Sequence, residues 1–404
     1  MMIRSLFLIS LFINGVGSSI LAVGYPYILL SENTLTTAYY ANMGVIFLFT
    51  SVGALLWGYK IDHATDIWQF RIAILLVEIF STLLLLILLL SGIAFSPIIL
   101  LLFIAILEFL FAYEIPWSRV AWHELNDWAE QQGSKHLNVS LYIVIATSLI
   151  SALGPGLGAL LGITQGIDTI VAIKLFSLLP YFYVCYLMLK IKIKRTVEQK
   201  SQLTVGLQAI FKQHYYKTLA IAVVFTVLAN AFLMAALPVI VMESLDNKNY
   251  NLVTLFYLLS ALIPIFCTTL LSKTQVDNRI QRYPIAIFIS LFIFGVLFFQ
   301  LQSFYEKAFF YLLYNIAIIY FNVLITKIIY QKGLEMQQGR LFSVFQVIMN
   351  FSLPIAAITV SIAPDSTQYF LPVVSFSILL LLAIAVYLII QMNKVPAPVH
   401  HWRK

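Results

Sequence analysis

The 404-residue sequence predicts an all-α integral membrane protein of twelve transmembrane helices. Three observations carry that prediction. Hydrophobic residues make up 61% of the chain and charged residues only 10%, against about 25% charged in an ordinary soluble domain. Apolar runs recur from end to end, each close to the roughly 20 residues that cross about 30 Å of hydrocarbon as a helix. Lysine and arginine collect on one side of the resulting topology, the bias that orients short loops across a bilayer.

The runs lie at residues 5–30, 37–59, 69–91, 96–118, 138–162, 167–190, 217–241, 250–272, 283–303, 306–329, 340–362 and 368–392. They are solidly apolar, whereas a membrane β-barrel needs alternating segments of about ten residues. The first run opens MMIRSLFLISLF, which has the short basic head of a signal peptide. Its apolar stretch continues to Leu30, too far for a signal h-region, and it is expected to stay as an uncleaved span. Cys185 and Cys267 both fall inside spans and form neither a disulfide framework nor a metal motif. No metal and no cofactor is expected.

With the N-terminus in the cytoplasm, twelve spans place both termini and five loops inside. All of the 24 lysines and arginines except Lys174, Lys248 and Lys307 then fall on the inner side. The net charge of +7 is thus read as orientation in a plasma (bacterial inner) membrane, not as affinity for nucleic acid. Lys174, some five residues into the sixth span, is expected to snorkel outward, with pairing to a glutamate as the alternative. The longest hydrophilic stretch, KIKIKRTVEQKSQLTVGLQAIFKQHYYK, splits the chain into an N-terminal half at 1–190, a basic linker at 191–216 and a C-terminal half with a short tail at 217–404. Within it Leu203, Leu207, Ile210 and Phe211 have the spacing of a helix lying on the inner leaflet, and a solvated linker is the alternative.

An internal repeat supports the halving. LLWGYKIDH follows the second span and LLSKTQVDN follows the eighth, so that Leu55, Leu56, Ile61 and Asp62 match Leu270, Leu271, Val276 and Asp277. Repeated halves with a site near mid-membrane are a common plan among secondary transporters.

At Gly58 and Asp62, in GYKIDHATDIWQFR, the sequence resembles the major facilitator superfamily, whose loop between helices two and three carries a G-x-x-x-D core. His63 stands where a basic residue is usual, and Arg71 is the nearest candidate for the arginine that follows. In the fifth span SALGPGLGALLG is similar to the G-P-x-x-G-G signature of exporters of that superfamily through Gly154, Pro155 and Gly158. Ala159 replaces the last glycine and Ile150 an upstream one. Small residues for close helix packing are the plainer account of the same stretch. The entry to the seventh span looks like that of macrolide, multidrug and siderophore exporters. The resemblance implies two six-helix halves, alternating access, and a central cavity lined by spans one, four, seven and ten.

Three acids, Glu78, Glu108 and Glu114, lie within spans. An ionised carboxylate at the bilayer centre costs roughly 2.5 to 3.5 kcal/mol even on lenient insertion scales, which makes each a functional candidate by default. All three are candidates for proton coupling. Glu108 leads, at the middle of span four, with Arg119 eleven residues on and nearly on the same helical face. Glu114 directly precedes Ile115 and Pro116, where a broken turn can expose backbone groups. A structural hydrogen bond to a neighbouring helix is the alternative for each.

The four spans that the resemblance assigns to the cavity carry polar positions at helical spacing. Span one offers Asn14, Ser18 and Tyr25; span four offers Arg119 at its end; span seven offers Thr226 and Asn230; span ten offers Tyr311, Asn315 and Asn322. These groups can bond a ligand, and they can equally join helices to each other. There is no phosphate-binding glycine loop, no H-E-x-x-H and no soluble domain for a catalytic site. The sequence therefore points away from an enzyme and toward a monomeric secondary transporter whose partners are a small organic molecule, protons and the lipid bilayer. Proton-coupled export is the leading expectation. An importer, or a non-transporting membrane sensor, is the alternative.

Overall fold

The computed structural model describes residues 2–31, 36–64, 66–92, 95–133, 139–191, 214–243, 284–332 and 351–359, with single positions at 256, 259, 262–263, 266–267, 348 and 383. Helix is the only regular structure among them. By compactness the chain divides into Met1–Lys200 with Asp246–Thr268, and Ser201–Leu245 with Thr269–Lys404.

The first unit holds α1 (Met2–Ser31), α2 (Thr36–His63), α3 (Ile67–Leu90), α4 (Pro97–Phe111), α5 (Glu114–Gln131), α6 (Val139–Thr164) and α7 (Ile167–Ile191). Four of them, over Ile3–Ile28, Tyr40–Trp57, Ile67–Leu90 and Ile167–Ile191, are long and apolar enough to cross a membrane. Their outer faces are apolar too, as at Val77, Phe80, Leu90 and Phe176, which suits lipid as the surrounding solvent.

Glycine sets the contact between α1 and α6. Gly154, Gly158 and Gly162 recur every fourth residue on α6 and lie against Ser19, Ile20 and Gly24 of α1. A Cβ at Gly158 would stand 3.0 Å from the carbonyl oxygen of Ile20, and one at Gly162 would stand 2.5 Å from that of Gly24. As Gly15 also meets Ile150, the two helices run parallel and in step. The exporter-like stretch of the sequence is thus, in this structure, a close-packing surface of the kind small residues give membrane helices.

The start of α3 is fixed by Asp66. Its carboxylate accepts from the backbone amides of Trp68 and Gln69, at 2.9 Å each, and so satisfies two of the donors that a helix start leaves open. Asp66→Ala is expected to lower stability by about 1 kcal/mol, measured by denaturation in mixed micelles, with the ordered start of α3 lost from hydrogen exchange before any other helix end.

The fourth predicted span, 96–118, is corrected by the structure. Helix α4 ends at Phe111 and α5 begins at Glu114, with a break at Ala112 and Tyr113. Pro116 has no N–H to give to the carbonyl of Ala112, four residues back, and proline in such a place bends or breaks the helix. Tyr113 N–H turns instead to Leu110 at 3.3 Å, and the regular ladder resumes with Trp117 N–H on Tyr113 at 3.2 Å. Beyond the break α5 continues to Gln131, through a stretch the sequence reading took for a loop.

The second unit holds α8 (His214–Glu243), α9 (Pro284–Gln300) and α10 (Phe304–Lys332). The last two form an antiparallel hairpin across 301–303, with Phe298 against Tyr311 at 5.7 Å between ring centres. Spans eight and twelve, and span eleven apart from 351–359, fall almost wholly outside the described residues.

Candidate functional site

Two pairs of residues seven apart create a buried charged layer in the first unit. Arg71 and Glu78 lie two turns apart on one face of α3, and Lys174 and Tyr181 do the same on α7. The helices pack antiparallel, so that Glu78 meets Lys174 while Arg71 meets Tyr181. Lys174 Nζ donates to Glu78 Oε1 at 2.5 Å and also to the hydroxyl of Ser18 on α1. Its ammonium sits 4.9 Å from the centre of the Phe111 ring. Two turns along α3, Arg71 Nη2 donates to Glu114 Oε2 at 2.5 Å, and the Tyr181 hydroxyl donates to the other oxygen of the same carboxylate. Arg71 Nη1 lies 3.8 Å from Glu78 Oε2, which links the two halves of the layer.

Aromatic rings enclose the guanidinium: Tyr113, Trp117 and Tyr181 have their centres 5.3, 5.7 and 5.1 Å from it. Cation–π attraction is strongest in such desolvated places. Trp117 is itself held by its indole N–H on the carbonyl of Ile67 at 3.1 Å. The break between α4 and α5 does structural work here. It places Glu114 in the first turn of α5, where the open amides of a helix start favour an anion.

Glu108 lies one turn before Phe111 on α4 and is buried, with Oε1 free of any hydrogen-bond partner among the described residues. It lies in the field of both Lys174 and Glu78. Counting these groups, two cations face three carboxyls. The set is neutral when one carboxyl holds a proton and carries one net negative charge when none does.

No protein-family model and no curated protein matches the chain. Solved structures match closely in shape. A crystal structure of a bacterial homologue of the iron transporter ferroportin, in an outward-facing state, aligns over 97% of this chain and 100% of its own, with TM-score 0.65 and 14% sequence identity. A second, of a bacterial ferroportin homologue in the same state with soaked iron, gives 0.64 at 14% identity over 97% of this chain and 99% of its own. The fold is the major facilitator fold. A chain with the major facilitator fold and these apolar helices is a multi-pass membrane protein.

Of the three predicted membrane acids, the structure brings Glu78 and Glu114 into direct ion pairs and leaves Glu108 beside them. Ser18 joins them through Lys174. Asn14, one turn before Ser18 on α1, is fully buried with neither amide atom partnered among the described residues. Tyr25 lies further along, its hydroxyl donating to the carbonyl of Pro97 at 2.9 Å. Thr226 is buried in α8, with Asn230 half-buried one turn on. Asn315 donates to the carbonyl of Tyr311 within α10 at 3.0 Å. Gly154, Pro155 and Gly158 lie in α6. Gly58 and Asp62 lie in α2, Arg119 in α5 and Asn322 in α10, with the side chains outside the described residues; Asp277 lies outside them altogether.

The sequence reading missed the buried role of Arg71 and Tyr181, and for Lys174 it put the glutamate pairing second. Lys174 does not snorkel: it is fully buried and paired with Glu78. Arg71, counted among the inner-side basic residues, is fully buried as well. A signal was present, since each helix carries its two polar groups at i and i+7. Matching one such pair of opposite sign against the other would have found the layer.

Proposed function

We propose that the chain is a secondary active transporter working by alternating access, and that it exports a small amphipathic organic molecule in exchange for an entering proton. The observation that carries this reading is the buried charged layer. It is balanced to within one proton, and Glu108 is the carboxyl without an ion-pair partner there. Charged groups are rare inside membrane helices and mark ion and proton routes when they occur. The likeness to bacterial ferroportin homologues supports transport as the general activity.

A divalent metal ion is the second substrate class, favoured by the iron named for those neighbours. Both cations of the layer already pair its carboxylates, and the neutral polar groups of Ser18 and Asn14 suit an organic ligand better.

The test uses oriented vesicles loaded with a pH-sensitive dye and a panel of lipophilic cations, hydroxamate chelators and ferrous iron. A proton gradient directed into the compartment facing the basic loops should drive one organic class out of that compartment. Glu108→Gln, which keeps shape and hydrogen bonding but releases no proton, is expected to bring proton-driven flux down to that of protein-free vesicles while insertion stays normal. Accumulation on the basic-loop side would make the protein a symporter. Movement of ferrous iron alone would give the second substrate class.

A further inference from the structure

We propose that Lys174 is the positioning residue for Glu108: its ammonium is the counter-ion that an ionised Glu108 calls on, and the pair with Glu78 and Ser18 is where the ammonium rests when Glu108 is protonated. The inference rests on the proton-coupled reading above and assigns the group that makes its proton step reversible.

Geometry carries it. Every hydrogen-bonding group at the head of Lys174 comes from a different helix, Ser18 from α1 and Glu78 from α3, while it is covered by Phe111 of α4, one turn along that helix from Glu108. On its own helix the next turn offers Ser177, whose hydroxyl donates to the carbonyl of Lys174 and leaves the ammonium alone. Arg71 reaches Glu78 Oε2 only at 3.8 Å, its Nη2 being held by Glu114, whose other oxygen accepts from Tyr181. Glu78 therefore has a second cation in reserve.

If Lys174 swings toward Glu108, Arg71 can close on Glu78, and no carboxylate in the layer is left without a cation. Breaking a buried pair without such a substitute strongly destabilises a fold. The arrangement Glu114, Arg71, Glu78, Lys174, Glu108 alternates in sign, and one step of Lys174 moves the unpaired position from Glu108 to the middle of the row. That middle is where the reserve partner stands. The carboxyl proton itself exchanges with water; no covalent bond beyond O–H forms or breaks.

A plainer role for Lys174 is to neutralise Glu78, and one variant separates the two. Glu78→Gln with Lys174→Met removes that pair together and leaves neither charge orphaned. The protein is reconstituted without substrate, and infrared difference spectra are recorded as pH is stepped, the carboxyl band of Glu108 being assigned by its loss in Glu108→Gln. Because Glu78 also acts on Glu108, the double variant is compared with Glu78→Gln alone, and the further loss of Lys174 is expected to shift the midpoint of that band by about one pH unit or more. An unchanged midpoint between these two folded variants overturns the proposal, since Lys174 then serves Glu78 alone.

Should the double variant fail to insert, Ser18→Ala provides the second reading. Loss of the hydroxyl that anchors the ammonium should also shift the midpoint, and an unchanged midpoint there counts against the proposal. Because the probe is the proton alone, the outcome is independent of transport. A native protein that shows the band and its dependence on Lys174 but moves no panel compound would sink the transport reading and leave the positioning role standing.

Discussion

Arg71→Met is expected to lower the stability of the protein by about 3 to 5 kcal/mol, the cost of leaving a buried partner charge uncompensated. Glu114 loses its 2.5 Å partner and Glu78 its reserve one, both inside a fully buried layer. Three aromatic rings lose the cation they enclose. Denaturation in mixed micelles measures the loss. Adding Glu114→Gln should recover a large part of it, because the penalty lies in the orphaned carboxylate more than in the missing bond. A single variant within 1 kcal/mol of native would mean that Glu114 finds water in the membrane, and the buried layer described here would be wrong.

The second large effect is expected from Gly154→Leu. Any side chain at this position is built directly onto Cβ and Oγ of Ser19, and the parallel contact of α1 with α6 offers no slack, since Gly158 and Gly162 touch backbone one and two turns further on. Forcing extra atoms into such a contact costs about 1 to 3 kcal/mol in well-packed interiors. Because α1 also carries Ser18 beside Lys174, pushing it off α6 disturbs the charged layer from a distance. Flux of whichever panel compound the native protein moves should fall much further than its binding does. Equal loss of both would indicate misfolding.

The helices were legible because hydropathy over twenty residues is a long, redundant signal. Runs predicted at 37–59, 167–190 and 306–329 appear as Thr36–His63, Ile167–Ile191 and Phe304–Lys332. The break at Ala112 was half legible: Pro116 announced it, but a proline does not say whether the chain leaves the helix or resumes it after two residues. The charged layer was legible only in its acids. Glutamates in apolar runs attract notice one at a time, while Arg71 was absorbed into a count of loop charges and Lys174, near the end of a run, read as snorkelling. Which face a residue takes, and what stands opposite, depends on helix pairing, and α3 against α7 joins segments about a hundred residues apart. The glycines of α6 carried two readings, an exporter signature and a packing surface, and their packing partner, α1, was not deducible from the glycines themselves.

That separation along the chain has a consequence for how the protein is made. Glu78 waits 96 residues for Lys174, and Ser18 waits 156 for the same ammonium. At common rates of synthesis, roughly 5 to 20 residues per second, the second interval is about 8 to 30 seconds. Ser18 on α1 waits through all of that interval, and Glu78 on α3 through its last 96 residues, for a partner not yet synthesised. Arg71 and Glu78 can hold each other in the interim, seven residues apart on one helix, and Glu114 arrives 43 residues after Arg71. The Arg71–Glu78 contact, 3.8 Å in the finished fold, needs no segment beyond α3 and is therefore open to form before α7 emerges. A chain truncated before Lys174 should be held back by membrane quality control, and one extended past Tyr181 should escape it.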